Sequence, residues 1–199
     1  MKEIILIKDG EIALKGLNRS SFEDMLCKNI RQRIKPFGAF EIKKSQSTIT
    51  VAPLDEYADI DAATDEISRV FGIAGYSRAA VAEKDMDEIL EIAPVYLEDQ
   101  LNDAKTFKVE AKRSDKKFPL KSPEISAIVG GKLLESFPHL QVDVKNPDIT
   151  VTVEIREKAY IRGNQLKGAG GMPCGSSGRA LLLISGGIDS PVAGYMMAK

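Results

Sequence analysis

Apolar and polar positions over the first 80 residues follow a strand pattern, then a helix pattern. Residues 4–7 form a short apolar run that predicts a buried strand. The apolar side chains that come next recur at helical spacing: Phe22, Leu26, Ile30 and Ile34. Ser20 and Glu23 match a capping box at the start of this helix, and Pro36 with Gly38 marks its end.

Two strands, a second helix and a further strand are predicted next. Residues 40–51 have the pattern of a β-hairpin with its turn at Gln46 and Ser47. A helix is predicted over about residues 60–70, followed by a strand near 76–81. The resulting order of strand, helix, two strands, helix and strand is ferredoxin-like.

The pattern starts again after Glu83 and predicts a second α/β unit. A stripe of apolar residues over 86–97 indicates a helix, and residues 106–111 alternate as a strand does. A helix is expected from Ser122, with Pro123 suited to its first turn. Residues 149–162 have the pattern of a strand and its hairpin partner.

The composition changes between residues 163 and 178, where glycine and serine replace large apolar side chains. Such a stretch cannot fill a core and indicates a linker. The expected fold class is therefore α/β (α+β). We expect an N-terminal domain over residues 1–60, a second domain over 61–165, a linker over 166–178 and a third unit over 179–199. The N-terminal domain has an alternative end at about residue 80.

Overall composition is that of a protein that can bury a core, with 43% hydrophobic and 29% charged residues among 199. The net charge of −1 argues against a protein that is basic throughout. No apolar run approaches the roughly 20 residues of a membrane span, and the N-terminus lacks a secretory pattern. Cys27 and Cys174 are far apart and His139 is alone, so no metal site is predicted. We expect a cytoplasmic protein.

A candidate phosphate site follows the apolar run at residues 181–184, which predicts a strand. The small-residue turn after it leads into a predicted helix and reads Ser185, Gly186, Gly187, Ile188, Asp189 and Ser190. Glycines there allow backbone N–H groups to approach an anion, and the hydroxyls add donors. Asp189 suits either Mg²⁺ or the start of the helix. The spacing is not that of a Walker loop, and a tight turn without a ligand is the alternative.

A second candidate is the basic stretch over residues 105–121, in which seven basic residues face two acidic ones, a net charge of +5. The basic residues are Lys105, Lys108, Lys112, Arg113, Lys116, Lys117 and Lys121. The stretch lies before a helix N-terminus and contains Phe118, whose ring could stack on a base. RNA binding is one interpretation, and a solvated surface loop is the other.

Several motifs in this order resemble the tRNA 4-thiouridine synthetase family. Residues 10–16, followed by Asn18 and Arg19, are similar to its opening motif. Residues 112–119 resemble the RNA-binding THUMP domain, as do Asn146, Pro147 and Asp148. Residues 185–190 resemble the PP-loop of ATP pyrophosphatases, so the third unit is expected to be the start of a PP-loop domain.

The resemblance implies a reaction and a set of partners. ATP with Mg²⁺ would adenylate O4 of the uridine at position 8 of tRNA and release pyrophosphate, and a persulfide would then supply sulfur and displace AMP. A cysteine desulfurase would donate the sulfur, members of the family also feed thiamine thiazole synthesis, and a homodimer is left open. The implied nucleotide contacts are Leu183, Ile184, Ser185, Gly186, Gly187, Asp189 and Ser190. The implied tRNA contacts are Lys112, Arg113, Lys116, Lys117, Phe118 and Lys121.

The family's sulfur-carrying cysteine has no counterpart at Cys27 or Cys174, so no catalytic residue is assigned. We expect the chain to be a fragment or truncated product that does not complete the reaction alone. Two other interpretations stay open: a non-catalytic tRNA-binding module, and a THUMP-like unit of an RNA methyltransferase. The turn at residues 185–190 speaks against the methyltransferase.

Overall fold

A computed structural model describes residues 1–45 and 48–199, and its class is the predicted mixture of α-helices and β-strands. The chain divides into two units that interleave along the sequence. One consists of Met1–Ile4 and Ser77–Gln165, and the other of Ile5–Tyr76 and Leu166–Lys199. The predicted hairpin turn at Gln46 and Ser47 lies outside the described residues.

The ferredoxin-like order predicted for the first 80 residues is confirmed. Its elements are β1 (Glu3–Asp9), α1 (Arg19–Ile34), β2 (Phe40–Ser45), β3 (Thr48–Pro53), α2 (Ile60–Ser68) and β4 (Ile73–Ala82). The strand order is β2-β3-β1-β4. Strand β3 pairs antiparallel with both β2 and β1, with Val51 opposite Ile42 on one side and Ile5 on the other.

The core of this unit forms where α1 and α2 cover one face of the sheet. Three members of the predicted stripe on α1 are buried and Phe22 is partly buried, and Ile5, Ile7 and Val51 are fully buried beneath them. Helix α2 begins where the Asp59 carboxylate accepts a hydrogen bond of 2.9 Å from the N–H of Ala62. Gly38 is required at the turn before β2, because its φ is +121° and a Cβ there would lie 2.6 Å from Cα of Ala58.

A buried carboxylate lies at the end of β1. The side chain of Asp9 is 3% exposed, and Oδ2 lies 3.4 Å from the guanidinium of Arg19. Its other oxygen, Oδ1, has no hydrogen-bond partner among the described residues. Burial raises the pKa of Asp9 above its ordinary value of 3.8, because removal from water disfavours the charged form more than Arg19 restores it.

This carboxylate makes the stability of the unit depend on pH. Since the folded-state pKa exceeds the unfolded one, protonation of Asp9 favours the fold and its ionised form weakens it at neutral pH. We expect Asp9→Asn to unfold at higher urea concentration than the parent at pH 7. The difference should shrink as the pH falls through the folded-state pKa. The exposed Asp65 on α2, changed to Asn, is the matched control; a less stable Asp9→Asn at pH 7 contradicts the expectation.

The second unit also follows the predicted order of elements. It contains α3 (Met86–Tyr96), α4 (Glu98–Asp103), β5 (Thr106–Arg113), α5 (Ser122–Ser136), β6 (Gln141–Val142), β7 (Ile149–Ile155) and β8 (Ala159–Arg162). Their strand order, starting from β4, is β4-β8-β7-β5-β6. Strands β7 and β8 form the predicted hairpin, while β5 runs parallel to both β7 and β6. The short elements α4 and β6 were not predicted.

The apolar faces of α3 and α5 bury the core of this unit. Phe107 on β5 is 1% exposed, and Ile89, Val129 and Val151 are fully buried around the same cluster. Helix α5 is fastened to β5 because the N–H of Ala111 donates to Oγ of Ser126 at 3.0 Å. The strand and the helix on either side of the basic stretch are therefore held in fixed register.

The glycine-rich stretch after β8 lies against β4 in the unit that contains residues 5–76. Its strand β9 (Leu166–Lys167) pairs antiparallel with Gly75 and Tyr76. The N–H groups of Gly168 and Gly170 donate to backbone carbonyls of β4 at 3.0 and 2.8 Å. Met172 packs against the apolar core of this unit.

The strand predicted over residues 181–184 is not formed, and this part of the prediction is wrong. These residues lie outside every described helix and strand, and Leu181 and Leu183 are 91% and 83% exposed. The physical reason is that a lone strand has no neighbouring ladder to satisfy its N–H and C=O groups. The helix predicted after the turn is present as α6 (Asp189–Ala198). No helix in the described part of the chain is long and apolar enough to cross a membrane.

Candidate nucleic-acid interface

The basic loop between β5 and α5, residues 114–121, is held by two side chains. The guanidinium of Arg113 donates to the carbonyl oxygens of Phe118 at 2.9 Å and Leu120 at 3.0 Å. Asp115 accepts from the N–H of Lys117 at 2.9 Å and from Nζ of Lys84 at 2.7 Å. The pKa of Asp115 is lowered, chiefly by the hydrogen bond from Lys84. The loop is thus fixed from within.

Phe118 lies inside the protein, which differs from the base-stacking interpretation of its ring. Its side chain is 6% exposed and belongs to the apolar core of the unit. A ring in this position anchors the middle of the loop and presents no face to a base. Sequence alone could not show this, because an aromatic residue among lysines is equally suited to either orientation.

Four lysines around this loop are exposed, and we call Lys112, Lys116, Lys117 and Lys121 the loop lysines. None of them forms an ion pair with any carboxylate in the described ranges 1–45 and 48–199. Lys108, by contrast, pairs with Glu110 at 2.8 Å and lowers the pKa of that carboxyl. Within the basic stretch, Lys108 is thus neutralised by an ion pair, while the loop lysines are exposed cations.

The loop lysines lie next to the N-terminus of a long helix. Helix α5 has 15 residues, and Glu124 accepts the N–H of Lys121 at 2.6 Å in its first turn. The remaining N–H groups of that turn add positive potential on the side where the loop lies. Backbone and side chains together make a surface that suits phosphate groups.

The segment that contains Asn146, Pro147 and Asp148 is fastened to the start of β5. The carboxylate of Asp148 accepts from the N–H groups of Lys105 at 3.0 Å and Thr106 at 2.8 Å, and from Oγ1 of Thr106 at 3.0 Å. These hydrogen bonds lower the pKa of Asp148, with the N–H of Thr106 contributing most. The motif has a structural role, fixing this segment beside β5.

Arg113 has a structural role in the loop that the loop lysines do not share. We expect Arg113→Lys to loosen the loop, because a single guanidinium nitrogen, Nη1, binds both carbonyls and the lysine side chain, shorter overall, does not carry its ammonium to that position. The expected cost is about 1–2 kcal/mol of unfolding free energy, together with faster amide hydrogen exchange over residues 114–120. Exchange is read by mass spectrometry; an unchanged pattern would show that the clasp is unimportant.

The predicted phosphate turn lies fully at the surface. Leu183 and Ile184 are 83% and 77% exposed. The N–H of Ser185 donates to Oγ of Ser190 at 3.2 Å, which folds the turn back on the first residues of α6. Asp189 is the first residue of that helix. The turn and the helix N-terminus together leave N–H and hydroxyl groups open to an anion.

Gly186 and Gly187 contribute open space, and neither is among the glycines with positive φ. A Cβ on Gly186 would meet no atom within 4 Å, and one on Gly187 would meet only Oγ of Ser185 at 3.8 Å. The space around these two glycines is therefore open, and their backbone does not use the positive φ that glycine permits. Within the described residues, no group of three or more His, Cys, Asp or Glu side chains is placed to hold a metal ion.

A groove of about 1280 Å³ in the unit built from residues 5–76 and 166–199 was not predicted. Its charged lining comes from three separate segments, in the form of Arg33, Glu66, Arg69 and Lys167. The carboxylate of Glu66 pairs with both guanidiniums, at 3.3 Å from Arg33 and 3.1 Å from Arg69. In the sequence, only the basic residues Arg31 and Arg33 near the end of α1 indicate a basic surface here. The other cations of the groove are far away in sequence and are brought together by the fold.

Comparisons with known proteins match three consecutive parts of the chain. The family model described as the ThiI ferredoxin-like domain matches residues 4–77, and the THUMP domain model matches residues 83–161. A third model, described as thiamine biosynthesis protein (ThiI), matches residues 175–199. The basic loop thus lies within the THUMP match, and the phosphate turn within the third.

Curated relatives and solved structures agree with these matches. A probable tRNA sulfurtransferase of Acetivibrio thermocellus is 49% identical over the whole of this chain, which covers 51% of that relative. The crystal structure of a 4-thiouridine synthetase–RNA complex with bound ATP matches with a TM-score of 0.86 and 34% identity, over 100% of this chain and 50% of that one. PH1313 from Pyrococcus horikoshii Ot3 matches with a TM-score of 0.84 and 31% identity, over 98% and 64%. The chain spans about half the length of the curated relatives it matches.

Proposed function

Since this chain belongs to the tRNA sulfurtransferase family, we propose that it binds tRNA and presents it for ATP-dependent transfer of sulfur to a uridine. The observation that carries the proposal is the cluster of loop lysines, whose ammonium groups form no ion pair among the described residues and which lie on and around the loop that leads into the N-terminus of α5. Exposed cations at fixed positions bind the phosphate backbone of RNA and give an affinity that falls with salt.

We further propose a division of roles between the two candidate sites. The unit with the loop lysines would hold the phosphate backbone, and the ferredoxin-like domain would share in binding the acceptor end. The modified base would be the uridine at position 8, giving 4-thiouridine. Sulfur would arrive as a persulfide from a cysteine desulfurase and reach the base through a cysteine that this chain does not contain.

The turn at residues 185–190 fits one end of a nucleotide. Ser185, Gly186, Gly187, Asp189 and Ser190 would hold phosphate oxygens through N–H and hydroxyl groups, and the backbone of Leu183 and Ile184 would flank the nucleotide. Bound ATP, with Mg²⁺, would supply the adenylyl group that makes O4 of the uridine a leaving group. The observation that supports this fit is the open space around both glycines at a helix N-terminus.

The main alternative is that the 199 residues act only as a tRNA-binding module. Residues 181–188 are exposed and lie outside regular structure, so they lack the neighbouring strands that a nucleotide-binding sheet provides. We favour the module for the 199 residues taken alone and the sulfur transfer for a chain as long as the relatives. A cytoplasmic location, a link to thiamine thiazole synthesis and pairing of two chains belong to the same proposal.

Binding and turnover separate the two alternatives. The chain is titrated with an unmodified tRNA transcript between 50 and 300 mM salt, and release of pyrophosphate and AMP from Mg-ATP is followed in parallel. The module predicts salt-dependent tRNA binding with release of neither product. Pyrophosphate or AMP formed by this chain in the presence of tRNA would reject the module, and failure to bind tRNA at low salt would reject the proposed function.

A further inference from the structure

The groove lined by Arg33, Arg69 and Lys167 has a charge balance that its ion pairs do not neutralise. Glu66 is the carboxylate that lines it, and this one group is shared by two guanidiniums. The side chains of Arg33 and Arg69 remain 61% and 69% exposed. Each guanidinium has five N–H donors, so most of them remain free to bind another anion.

The shared carboxylate also fixes where the two guanidiniums point. Glu66 lies on α2, Arg33 lies on α1, and Arg69 follows the last residue of α2. Because one carboxylate already holds both guanidiniums, less side-chain entropy is lost when a ligand binds to them. Two prearranged guanidiniums are suited to neighbouring phosphate groups of one strand.

The rest of the lining offers contacts for bases. The rings of Phe71 and Tyr195 pack edge to face, with centroids 5.2 Å apart and an interplanar angle of 77°. Tyr195 is 54% exposed, so part of its ring is open to the groove that it lines. Asn29 and Gln32 add amide groups that can donate and accept. Unpaired bases bind to such surfaces by stacking and by hydrogen bonds to their edges.

We propose that this groove binds a short unpaired stretch of RNA, with phosphates at Arg33, Arg69 and Lys167 and a base against Tyr195. The inference rests on the proposed function and adds a second RNA contact outside the loop lysines. RNA is favoured over a protein segment because the lining combines excess positive charge with an exposed ring. An unpaired strand is favoured over a duplex because stacked bases inside a helix cannot reach a ring in a groove.

The test compares two charge reversals on the full 199-residue chain. Arg33→Glu/Arg69→Glu removes the groove cations, and Lys28→Glu/Arg31→Glu makes the same change at exposed positions of α1 that are not among the described residues lining the groove. Because the first variant leaves Glu66 beside new carboxylates, a neutral triple variant with Gln at positions 33, 66 and 69 is measured beside it. Thermal unfolding checks that each protein is folded.

Three RNA probes are used: the tRNA transcript, a single-stranded RNA hexamer and a blunt RNA hairpin. We expect both groove variants to bind the hexamer and the tRNA about tenfold more weakly than the parent, and the salt slope to fall by about 1.4 for two lost phosphates. The affinity of the groove variants for the hairpin should equal that of the parent. The Lys28/Arg31 control should bind the probes as the parent does. Tyr195→Leu should weaken the hexamer and leave the hairpin unchanged.

Each of the other outcomes would reject one part of the proposal. Unchanged hexamer and tRNA affinities in the groove variants would reject RNA as the occupant and leave a protein segment in its place. Equal losses for hexamer and hairpin would reject the unpaired strand. If the parent chain binds tRNA and only the loop-lysine variant loses it, the proposed function stands while this inference fails. If the parent binds none of the probes, both fail.

Discussion

Reversing the charge of all four loop lysines to glutamate is expected to weaken tRNA binding about 100-fold or more at low salt. The reason is that the ammonium groups of the four loop lysines form no ion pair in the described chain, so each change removes an attraction to phosphate and adds a repulsion. Fluorescence anisotropy with a labelled transcript measures the loss. The slope of log affinity against log salt should fall in the same experiment, which identifies the lost term as electrostatic.

The matched control is a variant with the same net charge as the loop-lysine variant, in which four lysines outside the loop are reversed. Lys2, Lys28, Lys35 and Lys43 are also exposed, and their reversal to glutamate shifts the net charge of the protein by the same amount. This control should lose far less affinity. Equal losses in the two variants would mean that total charge, and not the loop, governs binding. Arg113 stays unchanged in both variants, because its reversal would also open the loop.

Phe118→Ala is expected to destabilise the unit by about 3 kcal/mol, because it removes a ring that is 6% exposed and packs in the core. Chemical denaturation measures the change. Phe118→Leu refills most of the space and should cost far less, with tRNA affinity unchanged wherever the protein is folded. The result separates a core role from base stacking.

A stacking role would give the opposite pattern. Both Phe118 variants would then retain the stability of the parent and lose RNA affinity, since leucine has no π-face for a base. Because the ring lies midway along the loop, Phe118→Ala should also speed hydrogen exchange over residues 114–121. That readout links the buried ring to the position of the exposed lysines around it.

The fold was predictable wherever a stretch of chain buries one face of its own. The stripe that predicts helix α1 and the alternation that predicts strand β5 both involve residues close together in sequence, and the structure confirms both elements. The apolar run at residues 181–184 has the same pattern, but a strand also needs a partner, and none of the described strands pairs with it. The two-residue strands β6 and β9 are too short to leave a periodic signal.

The candidate site was predictable in its charge and not in its geometry. Counting charges located the basic stretch, but the side chains within that stretch have different roles in the structure. Arg113 clasps two carbonyls and Phe118 fills the core, while the loop lysines face solvent. The groove with Arg33, Arg69 and Lys167 could not be predicted, because its cations come from segments more than 30 residues apart in sequence.

The pairing of β9 with β4 has a consequence for synthesis on the ribosome. Residues 5–76 emerge early, yet the edge of β4 at Gly75 and Tyr76 is covered only when Leu166 and Lys167 have been made. Until then an open strand edge is available to other nascent chains. Residues 77–165 are synthesised during this interval. Slow translation through residues 77–165 would prolong the period in which the early unit is prone to aggregate.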